Sequence, residues 1–132
     1  MNYLLDTHTF LWSAFSPDKL SANARNEIRS AENQVYISII SFWEISLKYT
    51  LGKIDLTECS PSDMPEIASQ MGIEIIQPGA LETASFYQLP KVAHKDPFDR
   101  MIIWQAIRQE LVLVSKDAVF PEYRQIGLKV LW

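Results

Sequence analysis

The sequence predicts an α/β fold: a central parallel sheet covered by helices on both faces. Three observations carry that expectation. Short apolar segments recur along the chain, as in Leu4-Leu5, Val35 to Ile39 and Leu111 to Val114, and they read as strands buried on both faces. Segments with helical spacing separate them, the alternation that goes with parallel strands. Acids or helix-capping residues stand just beyond the strand ends, at Asp6, Ser41 and Asp117. Right-handed crossovers bring every strand's carboxyl end to one edge, and functional groups gather there, near the point where strand order reverses.

In chain order, residues 1–5 form a strand that stops at Asp6. Thr7 caps a short helix whose apolar content is Phe10, Leu11 and Trp12, and Ser16-Pro17-Asp18 breaks it. Ser21 caps a polar helix reaching about Glu32. Residues 35–39 are a β-branched second strand. Ser41 starts a helix through Tyr49, with Gly52 suited to its end. Residues 54–65 are a polar connector, 66–71 a short helix ended by Gly72, and 73–76 a third strand. Residues 81–89 are helical up to Pro90, and 91–95 are a basic approach to the next helix. Asp96 is an N-cap side chain and Pro97 is shaped for the first helical position. Residues 111–114 are the fourth strand, 120–123 a turn of helix, and 129–132 a last short strand.

The chain has 132 residues, enough for one domain with a real core over residues 1–132. Its hydrophobic fraction of 48% and charged fraction of 21% are those of a soluble globular protein. No apolar run has the length of a membrane span, and no export signal is visible, so the expected place is the cytoplasm without a membrane. Cys59 is the single cysteine and forms no internal disulfide, which is compatible with that compartment. The net charge of −4 argues against a generic nucleic-acid binder. It allows an enzyme whose acids are clustered and neutralised by divalent cations, or a basic protein partner.

The stretch from His94 to Arg100 places two carboxylates, Asp96 and Asp99, at the mouth of an apolar helix. Asp96 has a purely structural explanation, since it makes a variant of the capping box with Asp99. Asp99 shares a face with Ile102, Ile103 and Ala106 and so leans toward the core. A carboxylate there must cap, pair or hold a metal. Glu44 lies on one face with Leu47, Lys48 and Leu51; as a surface pair with Lys48 it is worth about 0.3 kcal/mol. Asp6 and Asp117 follow strands, where acids are commonly turn or capping residues. Taken together, Asp6, Glu44, Asp99 and Asp117 fall near one edge. Like charges so close need cations. An all-oxygen set favours Mg²⁺ or Mn²⁺, whereas His8 and His94 are not spaced as a zinc pair.

Leu4-Leu5-Asp6-Thr7-His8, Trp43-Glu44-Ile45, His94-Lys95-Asp96-Pro97-Phe98-Asp99-Arg100 and Ser115-Lys116-Asp117 resemble the PIN-domain ribonucleases. Within them the sequence is most similar to the VapC-type toxins of type II toxin–antitoxin pairs. The resemblance covers nearly the whole chain, and the run around Asp96 and Asp99 is its most specific part. It implies a PIN-like three-layer α/β/α fold with strand order 3-2-1-4-5, and a homodimer. It implies an RNA substrate, and a cognate antitoxin whose tail occupies the acidic groove. By resemblance Asp6, Glu44, Asp99 and Asp117 are the catalytic, metal-binding acids, with Asp96, Ser115 and Thr7 in support. Lys48, Lys95, Arg100 and Lys116 are then possible phosphate contacts, with Lys53 and Lys91 further basic residues. Trp12, Phe42 and Trp43 are base-stacking residues, core residues or part of a dimer face, the last two being favoured for each.

The expected activity is a Mg²⁺- or Mn²⁺-dependent endoribonuclease in which metal-activated water attacks the phosphodiester in line, leaving a 5′-phosphate and a 3′-hydroxyl. One alternative is an aspartyl-phosphate phosphotransferase or receiver-like domain. Against it, His8 stands where phosphatases of that kind carry a second acid. The other is a non-catalytic module that binds RNA or a protein partner.

Overall fold

The computed structural model describes residues 1–92, 96–117 and 121–132. The central strand is β1 (Asn2–Leu5), paired in parallel with β2 (Gln34–Ser38) on one side and β4 (Val112–Val114) on the other. Outside these lie β3 (Glu74–Ile76) and β5 (Lys129–Leu131), also parallel, so the sheet runs β3-β2-β1-β4-β5. Strand order reverses at β1. The crevice beyond its carboxyl end, between the helix that follows it and the elements after β2 and β4, is therefore the expected place for a site.

Seven α-helices are seen among the described residues: α1 (Thr7–Phe15), α2 (Ala22–Arg29), α3 (Ile39–Thr50), α4 (Met64–Gln70), α5 (Ala80–Ala84), α6 (Pro97–Arg108) and α7 (Pro121–Gln125). They cover both faces of the sheet. Side chains alternate along a strand, so Tyr3 and Leu5 point to one face and Leu4 to the other. The first pair joins Phe10, Ile37, Ile45, Met64 and Val114 in one core cluster. Leu4 joins Ile102, Ile103, Ala106, Leu113 and Tyr123 in a second. Leu4 and Leu5 are both wholly buried, which is why β1 reads as an unbroken apolar run.

Several helix bounds differ from expectation, and at α1 and α3 the cap stands at the strand end itself, earlier than expected. Asp6, not Thr7, caps α1, accepting from the Thr9 N–H at 2.8 Å. Ser38, not Ser41, caps α3, accepting from the Ile40 N–H at 3.2 Å, so Ile39 is already helical. α2 stops at Arg29, where the Ser30 N–H bonds the Asn26 carbonyl. α4 starts at Met64 with Pro65 in its first turn, where a missing N–H costs nothing. The segment expected as one helix over 81–89 is α5 followed by a 3-10 turn at Ser85–Gln88. Gly52 ends α3 as expected. At φ +71° it lets its own N–H reach the Tyr49 carbonyl and the Lys53 N–H reach that of Lys48.

Candidate metal centre

α6 supplies two acids from its first turn. Asp96 is its N-cap: Oδ1 accepts from the N–H groups of Phe98, at 2.8 Å, and Asp99, at 3.3 Å. Oδ2 faces the other way, 3.5 Å from the Lys48 ammonium. Capping and membership of the acidic group are therefore compatible, because the two oxygens divide the tasks. Asp99 sits one turn in and leans toward α3, as its periodicity indicates.

α3 supplies Glu44, which is only 1% exposed. Its Oε1 accepts from the Thr7 hydroxyl at 2.5 Å, and its Oε2 pairs with Lys48 one turn on. The Thr7 hydroxyl also lies 2.9 Å from that of Ser41. A single hydroxyl proton serves one acceptor, so Ser41 supplies the proton of that second bond. Thr7 and Ser41 are themselves buried. Glu44 is thus fixed from α1 and from its own helix. The reading of Glu44–Lys48 as a surface pair gives way to one with a buried carboxylate.

Ligand oxygens of Glu44, Asp96 and Asp99 lie within 4.8 Å of one another. The Asp99 carboxyl is pushed up to about 7, first by burial and then by the charges of Asp96, Glu44 and Asp6, with Lys48 pulling it back. Burial alone would lower the Lys48 pKa, but its hydrogen bond and charge interaction with Glu44, followed by those with Asp96, outweigh it and hold the ammonium above its usual range. Asp6 belongs to the electrostatic neighbourhood without being in the close group. Its Oδ1 is taken by the α1 cap, and its N–H bonds the Val114 carbonyl at 3.2 Å, tying α1 to the end of β4.

Asp117 is placed differently. It is exposed, two residues beyond the buried Ser115, whose Oγ accepts from the Asp117 N–H at 3.2 Å. It lies past the carboxyl end of β4, on the expected edge, but outside the close group. Among the described residues, the acids brought together are Glu44, Asp96 and Asp99 rather than Asp6, Glu44, Asp99 and Asp117. Asp96 enters because an N-cap side chain must sit at the helix mouth; Asp117 stays out because the chain turns outward after Ser115.

The basic residues divide as well. Lys48 faces carboxylates. Arg100 is one residue past Asp99 and so rotated about 100° away from it. Its guanidinium bonds the Leu89 and Pro90 carbonyls, each at 3.4 Å, and lies over the Phe86 ring at 4.9 Å. These contacts tie Arg100 to the segment before α6. Lys53, Lys91 and Lys116 are exposed; His94 and Lys95 lie outside the described residues, as does Phe120. His8 is exposed against Trp12, with ring centroids 5.8 Å apart. Of the three aromatics, Phe42 packs edge-on against Phe10, Trp12 against Trp132, and Trp43 is 63% exposed with its ring edge-on to Phe98. Sequence reasoning missed Ser41 as a partner of the site, although its three-residue spacing from Glu44 places both on one helical face.

The donor set suits a hard divalent cation. It is all carboxylate, partly shielded from water, and among the described residues contains no histidine or cysteine.

The family model of the PIN domain matches residues 3–126. The chain belongs to the PIN domain family. This PIN domain is 29% identical over 129 residues to Ribonuclease VapC22 of Mycobacterium tuberculosis (strain ATCC 25618 / H37Rv), with 98% of this chain and 97% of that protein covered. Its fold matches VapBC2 from Rickettsia felis, solved bound to a DNA fragment from their promoter, with a TM-score of 0.67 at 20% identity, covering 99% of this chain and 98% of that one. It also matches a toxin-antitoxin complex from Klebsiella pneumoniae with a TM-score of 0.57 at 16% identity, covering 98% and 96% of the two chains. The sheet order and the helices on both faces are those of the family's fold. Among the described residues, no helix is long and apolar enough to cross a membrane.

Proposed function

We propose that this PIN domain is a divalent-metal-dependent endoribonuclease, the toxin of a toxin–antitoxin pair, acting in the cytoplasm as a single domain over residues 1–132. The observation that carries the reading is the group of Glu44, Asp96 and Asp99 at the carboxyl edge of the sheet. The membership of the PIN family and the likeness to a protein named a ribonuclease support it.

Glu44 and Asp99 hold a Mg²⁺ or Mn²⁺ ion, with Asp6 adding its charge and Asp96 its outward oxygen. Such an ion supplies a more acidic water and a counter-charge for phosphoryl oxygens in phosphodiester hydrolysis. Thr7, backed by Ser41, fixes the rotamer of Glu44 so that the carboxylate need not reorganise when the site is filled. Ser115 holds the turn that carries Asp117, and Asp117 completes the site from the outer side when RNA is bound. Lys116 and Lys95 contact phosphates along the approach. The partner that restrains the enzyme is a cognate antitoxin whose basic side chains pair with these carboxylates. A likeness in fold to a toxin-antitoxin complex supports this. The chain forms a homodimer, for which an exposed apolar stripe on α3 is available.

The test is cleavage of a single-stranded RNA by the purified chain. Activity should vanish in EDTA and return with Mn²⁺. Asp99→Asn and Asp6→Asn should lose at least a hundredfold in rate, on the order of what removing a key charge stabiliser costs. Asp96→Asn, which still caps, should lose less. Cleavage that persists in EDTA, or full activity in Asp99→Asn, contradicts the reading.

A further inference from the structure

Lys48 stands one turn beyond Glu44 on α3, and its ammonium meets two carboxylates from different helices. One is Glu44 Oε2; the other is Asp96 Oδ2, 3.5 Å away at the mouth of α6. Each of these acids gives its other oxygen to the protein, Glu44 Oε1 to the Thr7 hydroxyl and Asp96 Oδ1 to the α6 cap. Lys48 therefore shares the two oxygens that these acids turn outward, and each oxygen keeps a second lone pair for a divalent ion. Its side chain is 25% exposed, so it is neither a core packing group nor a freely solvated surface lysine. Among the described side chains, Asp6, Glu44, Asp96, Asp99 and Lys48 carry a net charge of three negative when all are ionised, so a single divalent ion leaves one negative charge. A second ion would leave the group positive and place a cation against the ammonium.

We propose that Lys48 is a resident second cation of this centre, a positioning residue that holds Glu44 and Asp96 and limits the site to one divalent ion per chain. The inference rests on the metal-dependent reading above and goes beyond it by assigning the stoichiometry to a side chain. Lys48 thus stands in for the second ion of a two-metal arrangement. It draws the start of α6 toward α3 whether or not a divalent ion is bound.

The experiment is a Mn²⁺ titration of the full chain without RNA at pH 8, with free Mn²⁺ read by its electron paramagnetic resonance signal. The wild type should bind one ion per chain. Lys48→Met, which keeps the length of the stem and removes the charge, should bind two. Lys48→Arg, which restores a cation, should return to one. Circular dichroism shows whether each variant is folded; should the Met variant fail, Lys48→Gln replaces it. Two ions in the wild type overturn the proposal without any variant. One ion in both wild type and the uncharged variant, or two in Lys48→Arg, also overturns it while leaving the metal-dependent reading intact. No binding by any of the proteins overturns that reading itself, and the inference with it.

Discussion

Among the described residues, Asp99 is the acid most strongly perturbed by burial and neighbouring charge. Its carboxyl titrates at about 7 in the folded chain, against about 4 when unfolded. Between these values the folded state binds the extra proton, so stability falls as pH rises through the window. The full cost is present above pH 7 and absent below pH 4. Metal-free Asp99→Asn should therefore melt higher than the wild type at pH 8, by about 1 kcal/mol after allowance for the group's partial exposure. The two melting curves should converge toward pH 4. A variant that melts lower at pH 8, or a difference independent of pH, would count against the strained carboxylate. Asp99 was legible in the sequence, because helical spacing alone turns it toward Ile102 and Ala106. Glu44 was less so. An i,i+4 pair with Lys48 reads the same on a surface as beneath one, and what buries Glu44 comes from Thr7, 37 residues away. From its position Asp96 was legible as a cap, and its supporting place in the site came only from the family resemblance, since sequence shows the capping oxygen and says nothing of where the second one points.

The elements were readable in kind and misplaced at their ends. α3 begins two residues before Ser41, because Ser38 caps it and strand β2 stops there. A run such as Ser38-Ile39-Ile40-Ser41 offers two capping serines, and local preference does not choose between them; the register of β2 against β1 and β3 does. α6 has its start fixed by Asp96 and Pro97, and it also contains a polar residue out of place. Gln105 is wholly buried among Ile102, Ile103 and Ala106, and among the described residues neither atom of its amide has a hydrogen-bond partner. An amide desolvated without partners is unfavourable. Gln105→Met, which preserves length and roughly preserves volume, should raise stability by about 1 kcal/mol in chemical denaturation and leave Mn²⁺ binding unchanged. A destabilised variant would show that the amide is satisfied in solution.

At the scale of the whole molecule, alternation of strand and helix was enough to infer a parallel sheet with functional groups at one edge. It was not enough to order the strands. Local pattern does not distinguish which neighbour a strand takes, and the order 3-2-1-4-5 came from likeness to the PIN family before the structure placed it. Oligomeric state lies a further step away, in surfaces the core does not constrain. Ile39, Trp43 and Leu47 on α3, with Leu51 at its cap, recur every four residues and are 41%, 63%, 42% and 58% exposed. That makes an apolar stripe about 18 Å long on α3, beside the face that carries Glu44. Such a stripe goes with association rather than with an isolated chain. The wild type is expected to sediment as a dimer at micromolar concentration. Leu51→Lys adds a charge to the stripe at the carboxyl end of α3, where a cation suits the helix dipole, so the fold should hold while the dimer dissociates. Analytical ultracentrifugation of both proteins decides it. A variant that remains dimeric places the contact elsewhere, and a monomeric wild type removes the dimer altogether.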